Sequence, residues 1–302
     1  MKDIVVISSV ADVHAMLGLE KPRHPLISVI QQKDLKVSGD FQAARFRFDL
    51  YQIWMKDGFD CAIGYGRNSY DFKEGALAFI KAGQVLSAEN HTLNESAKGW
   101  LILFHPDLLR SFELGKSIHR YSFFDYEANE ALHISDKEQQ SLNEIASKID
   151  EELNQRIDKH SQKIFVSNIE LLLDYSTRYY DRQFYTRASM NSDVSSRLEQ
   201  FLQSYYEENE QLKTGVPSVK MSAEKLGMSA QYLSDLLRKE TGLNAQETVQ
   251  RFVIDRAKTL LLGTGEPVSQ IAYQLGFEYP QHFSKLFKSK TGMNPGEYKN
   301  LN

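Results

Sequence analysis

Two stretches decide the reading: "SAEKLGMSAQYLSDLLRKETG", residues 222–242, and "IAYQLGFEYPQHFSKLFKSKTG", residues 271–292. They are one pattern written twice. Ala223, Leu226, Gly227 and Met228 return 49 positions later as Ala272, Leu275, Gly276 and Phe277. Leu233, Ser234, Leu236, Leu237, Arg238, Thr241, Gly242, Asn244 and Glu247 return 50 positions later as Phe283, Ser284, Leu286, Phe287, Lys288, Thr291, Gly292, Asn294 and Glu297. The step from 49 to 50 places one extra residue inside the turn. A repeat that keeps its turn glycine and its closing Thr-Gly is a duplicated structural unit.

Each copy opens with a short helix, marked by Met221 and Leu226 and then by Ile271 and Leu275. Ala223 and Ala272 are small enough to let two helices cross closely. Gly227 and Gly276 fall one residue past the last apolar position, where a helix ends in a left-handed conformation that glycine tolerates. Ser229 is placed to cap the next helix, and Pro280 suits a first helical turn, where its missing N–H costs nothing. The second helices are expected at Ala230–Thr241 and Pro280–Thr291. Their apolar stripes are Leu233, Leu236, Leu237 and Phe283, Leu286, Phe287. Their other faces carry Gln231, Ser234, Asp235, Arg238 and Gln281, Ser284, Lys285, Lys288. Amide, hydroxyl and cationic groups of this kind hydrogen-bond base edges and phosphates, and such a helix can enter a major groove.

A plain helical bundle with solvated faces would show the same stripes. The in-register duplication on a shared apolar helix favours the DNA reading. That helix is expected at Ala245–Leu262, with Val249, Phe252, Val253, Ala257, Leu260 and Leu261 inward. It spans roughly 27 Å at 1.5 Å per residue, close to the ~34 Å between successive major-groove faces once both units extend beyond its ends.

Residues 218–302 resemble the DNA-binding domain of the AraC/XylS transcription regulators. The resemblance rests on the two stretches above, on "RFVIDRAKTLLLGTGEPVSQIAYQLGF" and on "QHFSKLFKSKTGMNPGEY". Two positions depart from the pattern: Pro280 stands for a small polar residue and Leu237 for a more usual Phe. The resemblance implies a chain that binds double-stranded promoter or operator DNA and works as a homodimer. It also implies an effector-responsive N-terminal domain and, in an activator, contact with RNA polymerase. Ala230, Gln231, Ser234, Asp235, Arg238, Pro280, Gln281, Ser284, Lys285 and Lys288 are the expected DNA-contacting set.

The 302 residues are too many for that segment alone and suggest two domains. The expected class is α+β: an N-terminal antiparallel cupin-like barrel followed by helices, then an all-α domain with two helix-turn-helix units joined by a long helix. The boundaries read as 1–134 for the barrel, 135–185 for a helical dimerisation region, 186–192 for a linker and 193–302 for the reader. A single cysteine, Cys61, excludes an internal disulfide and points to the cytoplasm. No apolar run reaches the ~20 residues that span a bilayer, and Asp3 and Asp12 argue against a signal peptide. The net charge of −4 does not advertise DNA. Residues 191–302 are neutral, with 13 Lys/Arg against 13 Asp/Glu, so non-specific phosphate attraction is expected to be weak. Locally, Lys285, Lys288, Lys290 and Lys299 make the second unit the more basic of the two.

In the N-terminal half, "AARFRFDLYQIWM" alternates Phe46, Phe48, Leu50 with Arg45, Arg47, Asp49, as a half-buried strand does. "GALAFIKAGQVL" and "GWLILFHP" are further strand-like runs, and Asp57-Gly58 is a hairpin signal. A small barrel can hold one small molecule. The lining set expected here is Phe48, Tyr51, Trp54 and Tyr65, with Arg45 or Arg47 as an anion partner; the alternative is that the aromatics simply fill the interior. His14, His24, His91, His105, His119 and His133 are scattered singly with no HxH pair, so no metal site or cofactor is expected. Cys61 has no neighbouring His, Lys or Arg to activate it, and no catalytic residues are assigned. A barrel enzyme with an accessory DNA module is thereby the weaker alternative, and a regulator with the barrel as a mere dimerisation scaffold the stronger one.

Ser135 and Glu138 form a capping box for a helix with Leu142, Ile145, Ile149 and Leu153 on one face. A second helix, about 161–185, carries Ile164, Phe165, Ile169, Leu172, Leu173, Tyr179 and Tyr180. The resemblance implies that one of the two makes the dimer contact, and the second is favoured. The reader's first helix is expected from Asp193 to Glu208, with Leu198, Phe201, Leu202 and Tyr205 inward.

Overall fold

The structure is a computed structural model that describes residues 4–34, 45–57, 75–87, 98–127, 130–190 and 194–300. It divides into two compact units, Met1–Gln183 and Phe184–Asn302.

The first unit holds two sheets. Strands β1 (Ile4–Ile7), β3 (Arg45–Phe48) and β6 (Gln84–Ser87) form one, in the order β1-β3-β6. Strands β2 (Ile27–Gln31), β4 (Tyr51–Asp57), β5 (Ala76–Ile80), β7 (Lys98–Phe104) and β8 (Leu132–His133) form the other, in the order β2-β7-β4-β5-β8. All pairings are antiparallel except β1 with β3, which is parallel. Among the described residues the strands therefore make two sheets and not the expected closed barrel. Phe46 and Phe48 of the smaller sheet meet Ile30, Leu101 and Leu103 of the larger one, with Val10 and Val13 of α1 (Val10–Met16) beside them.

Alternation along β4 turns Ile53 and Met55 to the other face of the larger sheet, where Ile27, Ile102, Phe104 and Leu77 are also buried. Helix α2 (Glu113–Ser117) is a single short turn, and two long helices follow. In α3 (Asp136–Leu153) the capping box of Ser135 and Glu138 is present, and Leu142, Ile145, Ile149 and Leu153 are buried. In α4 (Ser161–Met190) Phe165, Ile169, Leu172, Leu173, Tyr179 and Tyr180 are buried, and Tyr180 meets Phe79 and Phe123. Ile164 belongs to the opposite face and is 39% exposed. Helix α4 also runs past Tyr185 to Met190, through residues expected to form a linker. That stretch, Thr186 to Met190, holds neither Gly nor Pro to stop it.

The second unit is helical beyond the boundary. Its elements are α5 (Val194–Glu207), α6 (Gln211–Thr214), α7 (Val219–Leu226), α8 (Ala230–Thr241), α9 (Ala245–Gly263), α10 (Val268–Gln274), α11 (Pro280–Thr291) and α12 (Pro295–Lys299). Helix α9 is the axis. It buries Val249, Val253, Ile254, Ala257 and Leu261, with α7 and α8 against one part and α10, α11 and α12 against another. Ala223 and Ala272 are buried at the crossings that their size permits. Phe277, Phe283, Phe287 and Tyr298 form a chain of ring contacts at 5.3–5.7 Å.

Candidate nucleic-acid interface

The geometry is built from two turns. Gly227 ends α7 with φ +74°, and Ser229 then accepts the Tyr232 amide at 3.1 Å to start α8. Gly276 follows α10 with φ +90°, and α11 starts at Pro280 with no side-chain cap. The additional residue lies in this second turn, which runs through Phe277, Glu278 and Tyr279. Both later helices close alike. Gly242 and Gly292 are left-handed at φ +78° and +80°, and Thr241 and Thr291 donate to the carbonyls of Leu237 and Phe287.

The polar faces differ. On α8, Gln231 Nε2 donates to Asp235 Oδ2 at 3.1 Å, and Arg238 lies 3.5 Å from the same carboxylate. The three side chains thus hold one another, with Ala230 exposed ahead of them and Ser234 half-buried between them. On α11, Gln281, Lys285 and Lys288 are exposed and pair with none of the described residues. Ser284 is half-buried and donates to the Pro280 carbonyl at 3.0 Å, while Pro280 itself is half-buried. Lys290, outside the expected set, is exposed on the same helix; the lysine run at 285, 288 and 290 was its signal. A row of free ammonium groups can neutralise phosphates, and an exposed amide can read a base edge. At the end of α8, Glu240 occupies the place of Lys290. Burial pushes its carboxyl pKa up, against the opposing effect of a hydrogen bond from the Ser195 amide.

The support beneath α10 comes from residues far away in sequence, with no motif to mark it. Tyr206 of α5 donates to the Leu275 carbonyl at 3.1 Å, and Gln211 of α6 to the Gln274 carbonyl at 3.2 Å.

The expected lining residues of the first unit do not converge. Phe48 and Trp54 share the space between the two sheets. Tyr51 lies three positions from Trp54 on β4 and so faces the other side, stacked on Phe104 at 5.3 Å. Arg45 and Arg47 point outward, and Arg47 pairs with Asp49 at 3.2 Å. Tyr65, Cys61 and the second residue of Asp57-Gly58 lie outside the described residues. His14, His24 and His105 are tied to local groups: Glu20 and Ser28, the Leu26 amide, and the Asp107 amide. Among the described residues no three His, Cys, Asp or Glu side chains cluster as a metal site would require, and no helix is long and apolar enough to cross a membrane.

Residues 222–300 match the family described as a helix-turn-helix domain. The chain is 24% identical to YisR of Bacillus subtilis, an uncharacterised HTH-type transcriptional regulator, over 74% of its own length and 85% of that protein. It is 36% identical to the HTH-type transcriptional activator RhaS of Citrobacter koseri over 24% of its length, spanning only 26% of RhaS. Residues 222–300 are a helix-turn-helix domain similar to those of these transcription regulators. Among solved structures the chain is similar to the C-terminal domain of AraT, a response regulator of Geobacillus stearothermophilus. That match has 25% identity over 36% of this chain and 86% of the other, with a TM-score of 0.32. The helix-turn-helix match extends from within α7 to α12 and includes both polar helix faces.

Proposed function

We propose that the chain recognises an operator through two helix-turn-helix units, α7–α8 and α10–α11, whose second helices enter successive major grooves on one side of the duplex. The carrying observation is the pair of twelve-residue helices at two ends of α9, each turning a polar face away from its buried stripe. In this reading Gln281, Ser284 and Lys285 read bases, Lys288 and Arg238 hold phosphates, and Gln231 and Asp235 read a second subsite. Ala230 and Pro280 set how closely each helix start approaches the DNA. The reader proper occupies residues 193–302, and the protein acts in the cytoplasm, with RNA polymerase as a further partner if it is an activator.

The first unit supplies a cupin-like sensor for a small effector, a dimer contact, or both. Two observations favour the dimer contact. The space between the sheets near Phe48 and Trp54 is taken up by packed apolar side chains. On α4, Ile164, Leu171 and Tyr185 are exposed at 39%, 42% and 79% and share one face at steps of seven and fourteen, an apolar stripe that a second helix can cover. An effector, where one acts, works through different affinities for two arrangements of the chain.

Footprinting tests the central reading. Protection over two adjacent major grooves per protomer is expected, and the absence of sequence-selective protection at every salt concentration would overturn it.

A further inference from the structure

We propose that helix α5, with α6, is a second strut beside α9 that fixes the separation and tilt of the two reading helices. Tyr206, Gln211 and Arg197 are then positioning residues for operator spacing. The inference rests on the reading that α8 and α11 enter one duplex.

The last carbonyls of a helix have no partner within it, and in both first helices of the repeat α5 or α6 supplies one. The Leu226 carbonyl, at the end of α7, takes a hydrogen bond from Arg197 at 3.4 Å. Its counterpart 49 residues on, the Leu275 carbonyl, takes one from Tyr206 at 3.1 Å. Beside it the Gln274 carbonyl takes one from Gln211 at 3.2 Å. Arg197 and Tyr206 are nine positions apart on α5, roughly 13 Å at 1.5 Å per residue. One helix therefore touches both turns at a set distance.

The contact at the second turn is firm. Tyr206 is 2% exposed, and the Arg256 guanidinium of α9 lies 4.9 Å from its ring centre. The backbone of Gly276 packs on Gly215 and Val216 so closely that a Cβ would stand 2.8–2.9 Å from their atoms. Helix α9, with α12 beside it, supports α10 and α11 from one side and leaves the α10 side open to rotation. A strut from α5 removes the rotation, which sets where α11 meets the groove relative to α8.

The test uses the full chain and a high-affinity operator selected from random DNA. One base pair at a time is inserted or deleted between the two subsites, and affinity is read by fluorescence anisotropy at fixed salt. The wild type is expected to lose about tenfold or more per base pair, since each step turns the second groove by about a tenth of a helical turn. The Tyr206→Phe, Gln211→Ala double variant should bind the original operator several-fold more weakly and tolerate one-pair changes with a loss of about threefold or less. Lys288→Ala, by comparison, should lower affinity by the same factor at every spacing. A double-variant profile parallel to the wild type would overturn the strut. A wild-type profile flat across all spacings, with protection of one groove only, would overturn the two-helix reading and the strut with it. Where the double variant loses its helical circular dichroism, Tyr206→Phe alone carries the test, because it keeps the ring beneath Arg256.

Discussion

Gly227 and Gly276 hold the same place in the two helix pairs, and both have positive φ. A methyl group added at Gly227 would meet nothing within 4 Å, whereas at Gly276 it would press on backbone atoms at 2.8–3.0 Å. The same local instruction thus sits in an open turn in one copy and in a crowded one in the other. The helices that follow differ in a parallel way. Helix α8 carries Asp235 and Glu240 where α11 carries Lys285 and Lys290. Duplication explains what the two pairs share; what each packs against, and which charges it acquired, makes them unequal.

The comparison can be broken most directly at the glycines. Gly276→Ala should destabilise the chain by about 3 kcal/mol, combining ~1–2 for a left-handed residue with ~1–3 for overpacking. Gly227→Ala should cost only the first part, about 1–2 kcal/mol. Equal shifts of the two denaturant midpoints would remove the distinction. Next in size are the glutamines. Gln281→Ala should lose about 1–3 kcal/mol of discrimination at one base pair. Gln231→Ala should lose less than about 1 kcal/mol, because Asp235 already holds that amide and its release offsets part of any base contact. Competition binding over single-base operator variants separates the two, and a larger loss from Gln231→Ala would reverse the ranking.

Charge gives a smaller and signed effect. Lys288→Ala should flatten the slope of log affinity against log salt by about 1. Asp235→Asn should steepen it by freeing Arg238, and slopes that move in the same direction would contradict the assignment. Smallest is the titration of Glu240. Its carboxyl pKa is raised by burial from an ordinary value of 4.5, so the folded chain keeps that proton to higher pH than the unfolded chain does. The group's contribution is therefore fully present at low pH and is lost as pH rises from 4.5 through the raised value. Glu240→Gln should gain on the wild type across that window in thermal melts, and a difference that does not change with pH would remove the claim.

The helical domain was legible because its code is local. The apolar spacing of Leu233, Leu236, Leu237 and of Phe283, Phe287 coincides with buried faces of α8 and α11, and the glycines mark the turns. Tyr206 and Gln211 were not legible, since their partners lie 69 and 63 residues away and nothing near them in sequence announces a hydrogen bond. Two of the expected lining residues part for a simpler reason. Tyr51 and Trp54 are separated by an odd number of positions, and a strand with a period of two must part them. The division of the strands into two sheets, with β1 parallel to β3, depends on pairings between distant segments that alternation alone does not specify.

One shared feature has a wider use. In both copies a threonine, a left-handed glycine and an asparagine–glutamate capping box redirect the chain, at Thr241, Gly242, Asn244, Glu247 and at Thr291, Gly292, Asn294, Glu297. What comes next is a nineteen-residue helix in one case and a five-residue helix in the other. The corner does not depend on what it leads into. Its seven residues are a portable joint, fit to be grafted between helices of an unrelated scaffold wherever a sharp, self-capped change of direction is wanted.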